Sequence, residues 1–185
     1  MGAVYNSLEQ QQLDAPKCHP ETRLAVIDRI IDWLNGDIDF NALLLWLYGA
    51  AGAGKSAIAH SLAEICEEYG CLLATFFFCK TAAERSDITR FIATIAYQIA
   101  RVIPASLPHI EAAVDADPMI FHQSVDVQLA KLIVEPLYRL GNTQFDFEDY
   151  PFVIIVDGLD ECQGIDMQSV TNFISLFTVQ HFPCT

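Results

Sequence analysis

The segment Gly49–Ser56 constrains this chain more than any other, because it dictates both a loop shape and the elements around it. Its residues, GAAGAGKS, fill every fixed position of the pattern G-x-x-x-x-G-K-[ST]. A loop of this pattern stands between a buried strand and a helix. The apolar run Ala42–Tyr48 predicts that strand, parallel and fully buried. Apolar residues at helical spacing from Ile58 to Ile65, with a stop at Tyr69–Gly70, predict the helix.

The chemistry expected of this glycine loop (Gly49–Ser56) is the capture of a phosphate group. Glycines let the backbone approach an anion without Cβ clashes, and the N–H groups of the helix N-terminus point toward it. In such a pattern Lys55 reaches the β- and γ-phosphates, and the Ser56 hydroxyl sits on Mg²⁺. The competing interpretation, a glycine-rich turn that binds nothing, is disfavoured by the predicted strand and helix. We predict a nucleotide site at Gly49, Ala50, Ala51, Gly52, Ala53, Gly54, Lys55, Ser56 and Ala57.

Composition indicates one globular domain with an acidic surface. The chain has 185 residues, of which 52% are hydrophobic and 18% are charged, so it can bury a substantial core. Its net charge of −14 disfavours nucleic acids and anionic membranes as main partners, because both reward basic patches. A nucleotide remains compatible, since its phosphates are held by local N–H groups, one lysine and a metal.

Two further patterns predict a cytoplasmic location. No stretch reaches the roughly 18 apolar residues of a membrane span, and the N-terminus has neither the basic nor the apolar region of a secretory signal. The cysteines form no C-x-x-C pair and no metal-ligand spacing, so we predict thiols in a reducing compartment. There are six, at Cys18, Cys66, Cys71, Cys79, Cys162 and Cys184.

The remaining elements follow from hydrophobic periodicity and from turn residues. Residues 1–20 are polar and irregular and predict an arm, ahead of one domain at residues 21–185. Short apolar runs predict strands at Cys71–Cys79, whose three phenylalanines we assign to the core, and at Phe152–Val156. Helical spacing predicts helices from Glu21 to Leu34, from Ile88 to a stop at Pro104, over Ser106–Val114, over Ser124–Leu140 with a break at Pro136, and over Met167–Phe177.

An acidic cluster, Asp157–Gly158–Leu159–Asp160–Glu161, follows the second of these strands. Ligands of open α/β sheets bind at the carboxyl ends of strands, so this cluster is expected to face the glycine loop. We predict that Asp157 holds Mg²⁺ together with Ser56, through a metal-bound water. Asp160 and Glu161 are then the candidates to orient and deprotonate an attacking water. The alternative is a solvated turn whose acidic residues cap the next helix.

The segments VIIVDGLDEC and WLYGAAGAGKS resemble the NACHT domain of signal-transduction NTPases, the nucleotide switch of NOD-like receptors. Three more segments resemble the fungal branch of that family, and together the resemblance covers roughly residues 18–165. They are CHPETR at Cys18–Arg23 ahead of a helix ending in DWL, TFFFCK at Thr75–Lys80, and RSD at Arg85–Asp87 followed by TIAYQIA.

The resemblance implies an additional-strand P-loop NTPase fold, a parallel sheet flanked by helices. It implies binding of ATP, or GTP, with Mg²⁺, slow hydrolysis, and a switching role in signalling or self/non-self recognition. It also places Thr22 and Arg23 near the base and ribose. The family continues with a sensor strand between the strands of the glycine loop and of Asp157, and Val179–Thr185 contain no such strand. We therefore expect a sheet without its centre, which associates with other copies or with full-length NACHT proteins.

Two other functions remain open. One is a nucleotide-binding or interaction module without useful turnover that engages full-length relatives, as the missing sensor strand would predict. The other is a metabolic kinase, which would need an acceptor site and a basic lid, whereas the arginines of this chain form no lid-like cluster.

Overall fold

The computed structural model describes residues 23–39, 42, 44–82, 85–86, 88–143, 145–146 and 153–162. These residues form an α/β structure with a small parallel sheet and helices around it. The strands are β1 (Leu72–Phe77) and β2 (Val153–Asp157). The α-helices are α1 (Leu24–Leu34), α2 (Lys55–Glu68), α3 (Ile88–Val102), α4 (Leu107–Ala116), α5 (Val125–Leu129) and α6 (Glu135–Gly141).

The two strands pair in parallel, from Leu72 opposite Val153 to Phe77 opposite Asp157. Both predicted strands are confirmed: β1 is shorter than Cys71–Cys79 at both ends, and β2 runs one residue further than expected, so that Asp157 is its last residue. The outer edge of β1 is covered by a side chain, because the Gln98 amide accepts from the N–H of Thr75 at 3.1 Å and donates to its carbonyl at 2.9 Å. A side chain of α3 thus replaces a neighbouring strand.

The prediction of a fully buried strand at Ala42–Tyr48 is wrong. Residues 44–50 have no regular secondary structure, and Leu44, Trp46 and Tyr48 are 45%, 51% and 84% exposed. Leu45 and Leu47 do pack inward against α1 and α2. The side chains therefore alternate as on a pleated strand, but no strand of the described chain supplies ladder hydrogen bonds to this segment. An apolar run indicates that some of its side chains pack inward, and it carries no information on whether another backbone pairs with it.

The predicted helices within the described residues are confirmed, with one informative interruption. The stretch predicted as a single helix at Ser124–Leu140 consists of α5, a π-helical turn at Ala130–Val134, and α6. Pro136 lies in the first turn of α6, where its missing N–H is not needed. The helical stretch is therefore interrupted by a π-helical turn, which ends at Val134, immediately before α6.

Among the described residues no single helix has both the length and the hydropathy to cross a membrane. One bent pair, Arg90–Val102 with Pro104–Ala116 at 119°, meets that test jointly by length and composition.

Apolar side chains gather on the two faces of the sheet. On one face α3 to α6 build what we call the helical core, which contains Ala74, Phe76, Phe78, Phe91, Ile92, Ile95, Ala96, Ile99, Ile103, Ile120, Leu129, Leu132, Ile133, Leu137 and Leu140. On the other face lies a smaller group, the loop-side cluster, of Ile27, Ile30, Ile58 and Leu62, against which Leu45, Leu47 and Ile155 pack.

The three consecutive phenylalanines of the β1 region confirm their assignment to the core. Phe76 and Phe78 point into the helical core, where their ring centroids lie 5.1 and 5.6 Å from that of Phe91. Phe77 points to the opposite face and stacks on the buried His60 ring of α2 at 4.0 Å. They alternate across the pleat as period two requires.

Several predictions lie outside the described residues. These are the arm at residues 1–20, the start of the first helix with Thr22, Phe152 at the start of β2, and the helix at Met167–Phe177.

Candidate functional site

The glycine loop leads into α2 through two left-handed glycines. Gly52 and Gly54 have φ of 74° and 84°, and Gly54 directly precedes the first residue of α2, Lys55. The turn is closed by a hydrogen bond from the Ala53 N–H to the Ala50 carbonyl at 3.1 Å. The loop therefore ends at the N-terminus of a 14-residue helix, where free N–H groups favour an anion.

The Lys55 side chain folds back over its own loop. Its ammonium donates to the carbonyl oxygens of Gly49 and Ala50 at 3.0 and 3.2 Å. A cation held over the loop by two neutral carbonyls can exchange them for a phosphate oxygen, which is the stronger, charge-assisted acceptor. The lysine predicted to reach the phosphates is thus already positioned at the loop.

A second cation stands at the loop. A Cβ built on Gly54 would lie 2.9 Å from Arg23 Nε and 3.0 Å from its Cζ, so the guanidinium packs directly against this glycine. Arg23 precedes α1 and has a left-handed φ of 61°. The placement of Arg23 near the base and ribose stays a prediction; in the structure its side chain contacts the loop at Gly54.

The chain path brings the glycine loop and Asp157 to the same edge of the sheet. Only three residues connect the end of α2 to the start of β1, so the helix and the strand run in opposite directions. At 1.5 Å per helical residue and 3.3 Å per strand residue, both elements are about 20 Å long. The first turn of α2 with Ser56 therefore lies level with the carboxyl end of β1, beside which β2 ends at Asp157.

The acidic turn after β2 is pressed against the end of β1. Gly158 has φ of 70°, and a Cβ at this position would lie 2.9 Å from the carbonyl oxygen of Phe78. Only glycine satisfies both the conformation and the contact. The Phe78 N–H also donates to the Asp157 carbonyl at 2.9 Å, so the half-buried Asp157 is held by its main chain.

The two predicted catalytic carboxylates have different surroundings. Glu161 Oε2 accepts a hydrogen bond from the Lys80 backbone N–H at 2.9 Å, which ties the acidic turn to the loop after β1. Asp160 is exposed on the short 3₁₀ turn Leu159–Glu161. No local sequence pattern predicts the contact with Lys80, because it joins residues 81 positions apart.

The loop after β1 also contains an activated thiol. The Thr81 hydroxyl hydrogen bonds to Cys79 Sγ at 3.2 Å and lowers the pKa of Cys79, helped by nearby backbone N–H groups and by the charge of Arg85 against the opposing effect of burial. Arg85 itself is buried. Cys66, Cys71, Cys79 and Cys162 are all free thiols, as predicted.

In the described part of the chain, no three or more His, Cys, Asp or Glu residues lie close enough together to hold a metal ion. A Mg²⁺ of the kind predicted takes fewer protein ligands, typically one hydroxyl and one carboxylate, and completes its shell with phosphate oxygens and water. Ser56 and Asp157, at the same edge of the sheet, fit that requirement.

A separate cavity of about 280 Å³ lies among α4, α5 and α6, away from the glycine loop. Its polar side chains pair with one another: Gln123 donates to Asp117 at 2.6 Å, and Lys131 forms an ion pair with Glu135 at 2.6 Å. Four of the polar side chains that line this cleft are therefore paired with one another.

Comparison with known proteins gives one match. The family model described as Nephrocystin 3, N-terminal, matches residues 25–184, which is most of the chain. The NACHT family model is not matched, and the nephrocystin 3 family is related to NACHT-containing proteins only loosely. No curated protein and no solved structure matches the chain. The chain therefore belongs to the nephrocystin 3 N-terminal family.

Proposed function

We propose that this chain binds a nucleoside triphosphate, ATP in preference to GTP, with Mg²⁺, and acts as the nucleotide switch of a NACHT-like signalling protein with slow hydrolysis. The observation that carries the proposal is the placement of Lys55 over the glycine loop at the N-terminus of α2. An ammonium, two left-handed glycines and the free N–H groups of a helix converge on one point, and each favours a phosphate.

The acidic turn supports the second half of the proposal. Asp157 ends β2 at the edge of the sheet where α2 begins. With the Ser56 hydroxyl it would hold Mg²⁺, and the metal would supply charge neutralisation for the phosphates. Gly158 fixes the distance of this turn from β1, so Asp157 is held at the sheet edge by the backbone on both sides.

The first test is calorimetric titration with ATP and Mg²⁺. Lys55→Ala removes the ammonium over the loop and is expected to weaken binding about ten- to a hundredfold, since a charged hydrogen bond contributes roughly 1.5–3 kcal/mol. Lys80→Ala is the matched control, because its exposed side chain lies at the same sheet edge and only its backbone N–H is used. Absence of ATP binding by the native chain, or equal affinities of the two variants, would overturn the proposal.

A second substitution tests the cation at Gly54. Arg23→Ala is expected to weaken nucleotide binding about two- to tenfold, the range for an exposed charged contact. Arg29→Ala, at an exposed position of α1, the helix that Arg23 precedes, is the control and should leave affinity unchanged. A larger loss for Arg29 than for Arg23 would remove Arg23 from the site.

A binding module without turnover is the second candidate, and the surroundings of Glu161 favour it. One of its two carboxylate oxygens, Oε2, accepts a hydrogen bond from the Lys80 N–H. A general base must instead meet the attacking water within hydrogen-bond distance.

Single-turnover hydrolysis on the purified chain separates the two candidates. Binding without turnover favours the second. If turnover occurs, Asp160→Asn and Glu161→Gln identify the base: the variant that loses hydrolysis while it keeps binding names the residue. Wild-type rates in both variants would remove the catalytic role from this turn.

A further inference from the structure

The end of α2 is closed by a complete Schellman motif. The N–H of Cys71 donates to the Cys66 carbonyl at 2.8 Å, and the N–H of Gly70 donates to the Glu67 carbonyl at 3.0 Å. Gly70 between them is left-handed, with φ of 71°. These are the two defining bonds of the motif, which brings together the side chains of its first and last residues.

In this chain both of those side chains are cysteines. Their Cα atoms are less than about 7 Å apart, because one 2.8 Å hydrogen bond and three covalent bonds connect them, and disulfides span about 4.4–6.8 Å. Cys66 is 1% exposed whereas Cys71 is half-buried, so one thiol lies under the other. Burial raises the pKa of Cys66 to about 12, and the charge and the hydrogen bond of the neighbouring Cys71 thiol add to the shift.

We propose that Cys66 and Cys71 form a redox-active dithiol that peroxide converts reversibly to an intramolecular disulfide. Cys71 is the thiol that meets the oxidant, because it is the more exposed of the two. Hydrogen peroxide transfers one oxygen to Cys71 Sγ as its O–O bond breaks, which gives a sulfenic acid and one water. Cys66 Sγ then attacks that sulfur, the S–S bond forms, and hydroxide leaves as a second water with the Cys66 proton.

The bond would join two elements that matter to the sheet. Cys66 belongs to the helix that begins at the glycine loop, and Cys71 directly precedes β1 and accepts a hydrogen bond from the Val153 N–H at 2.9 Å. The oxidised chain therefore has the C-terminal end of α2 covalently fixed to the first pair of the ladder. We expect its midpoint of thermal unfolding to rise, and to fall back on reduction by dithiothreitol.

The experiment is mild peroxide treatment of the reduced full chain, followed by alkylation of the remaining thiols and intact mass measurement. The expected product has lost two hydrogens and takes up two fewer alkyl groups. Cleavage after Glu67 or Glu68 then separates the two cysteines, so a Cys66–Cys71 disulfide is identified as two peptides that part only on reduction.

Three variants make the test specific. Cys71→Ser should abolish the linked peptides. Cys79→Ser removes the cysteine with the lowered pKa and should leave them intact. Gly70→Ala keeps both thiols, and its added Cβ meets no atom within 4 Å, so the linked peptides should still form. A dominant linkage to Cys79, or no linkage at all in the native chain, would overturn the proposal.

Discussion

The two faces of the sheet are packed to different depths. On the helical-core side, the fifteen buried residues of the core are 5% exposed or less. On the loop side, the four residues of the described cluster are 3–7% exposed, and Trp46 and Tyr48 beside them stand largely in solvent. The contrast teaches that the glycine loop belongs to the more weakly packed half. Regions that bind ligands and move are commonly drawn from such low-stability parts of a protein.

The largest expected difference is between the reactivities of two thiols, that of Cys66 on α2 and that of Cys79 in the loop after β1. In the reduced chain, iodoacetamide should alkylate Cys79 at least about a thousandfold faster than Cys66 at pH 7, because the pKa of Cys79 is below its usual value of 9.0 and that of Cys66 is about 12. The Cys79 rate should level off below pH 9, whereas the Cys66 rate continues to rise. Peptide mass mapping over time measures both, and comparable rates would show that the loop side opens frequently.

Matched leucine truncations compare the packing directly. Leu132→Ala in the helical core is expected to lower the free energy of unfolding by about 3–5 kcal/mol, and Leu62→Ala in the loop-side cluster by about 2 kcal/mol. The two leucines are 1% and 7% exposed. Chemical denaturation of both variants checks the order, and equal losses would contradict the contrast between the faces.

Two glycines with the same φ isolate the contact at the acidic turn. Gly70→Ala meets no atom within 4 Å and should cost only the left-handed conformation, about 1–2 kcal/mol. Gly158→Ala adds a Cβ 2.9 Å from the Phe78 carbonyl, so it should cost about 1–3 kcal/mol more. Equal melting temperatures for the pair would show that the acidic turn can move away from β1.

The smallest effects concern one anchoring side chain on each face. Gln98→Met removes both bonds to the Thr75 backbone at a partly buried site and should cost about 2 kcal/mol. Trp33→Phe removes only the exposed bond from Nε1 to the Ala42 carbonyl, 2.9 Å long, and should cost about 0.5–1 kcal/mol. Thermal unfolding of the two variants gives the comparison, which fails if Trp33→Phe has the larger effect.

Much of the fold was predictable because its signals are local. The C-terminal ends of α1 and α2, the stop at Pro104 and the presence of both strands follow from periodicity and turn residues. The failure at Ala42–Tyr48 has a physical cause: an apolar run predicts that side chains are inward, but a strand exists only where a second backbone accepts its hydrogen bonds. Whether a second backbone lies alongside depends on the tertiary structure and not on the segment itself.

The candidate site divides in the same way. The glycine loop and the position of Asp157 at a strand end could be predicted, because each signal is contained in a short stretch of sequence. The packing of Arg23 on Gly54 and the bond between Glu161 and Lys80 join distant segments, so no local pattern predicts them. Function assigned to Asp160 and Glu161 stays a prediction until turnover is measured.

The bond between Glu161 and Lys80 belongs to a set of three. The Phe78 N–H reaches the Asp157 carbonyl, the Lys80 N–H reaches Glu161, and Cys162 Sγ donates to the Ser86 carbonyl at 3.4 Å. Ser86 stands two residues before α3, the helix that packs on β1 and carries Phe91 into the helical core. The acidic turn is therefore connected both to the chain after β1 and, through Ser86, to the segment that leads into α3, so a displacement of Asp157 would have to rearrange contacts in both.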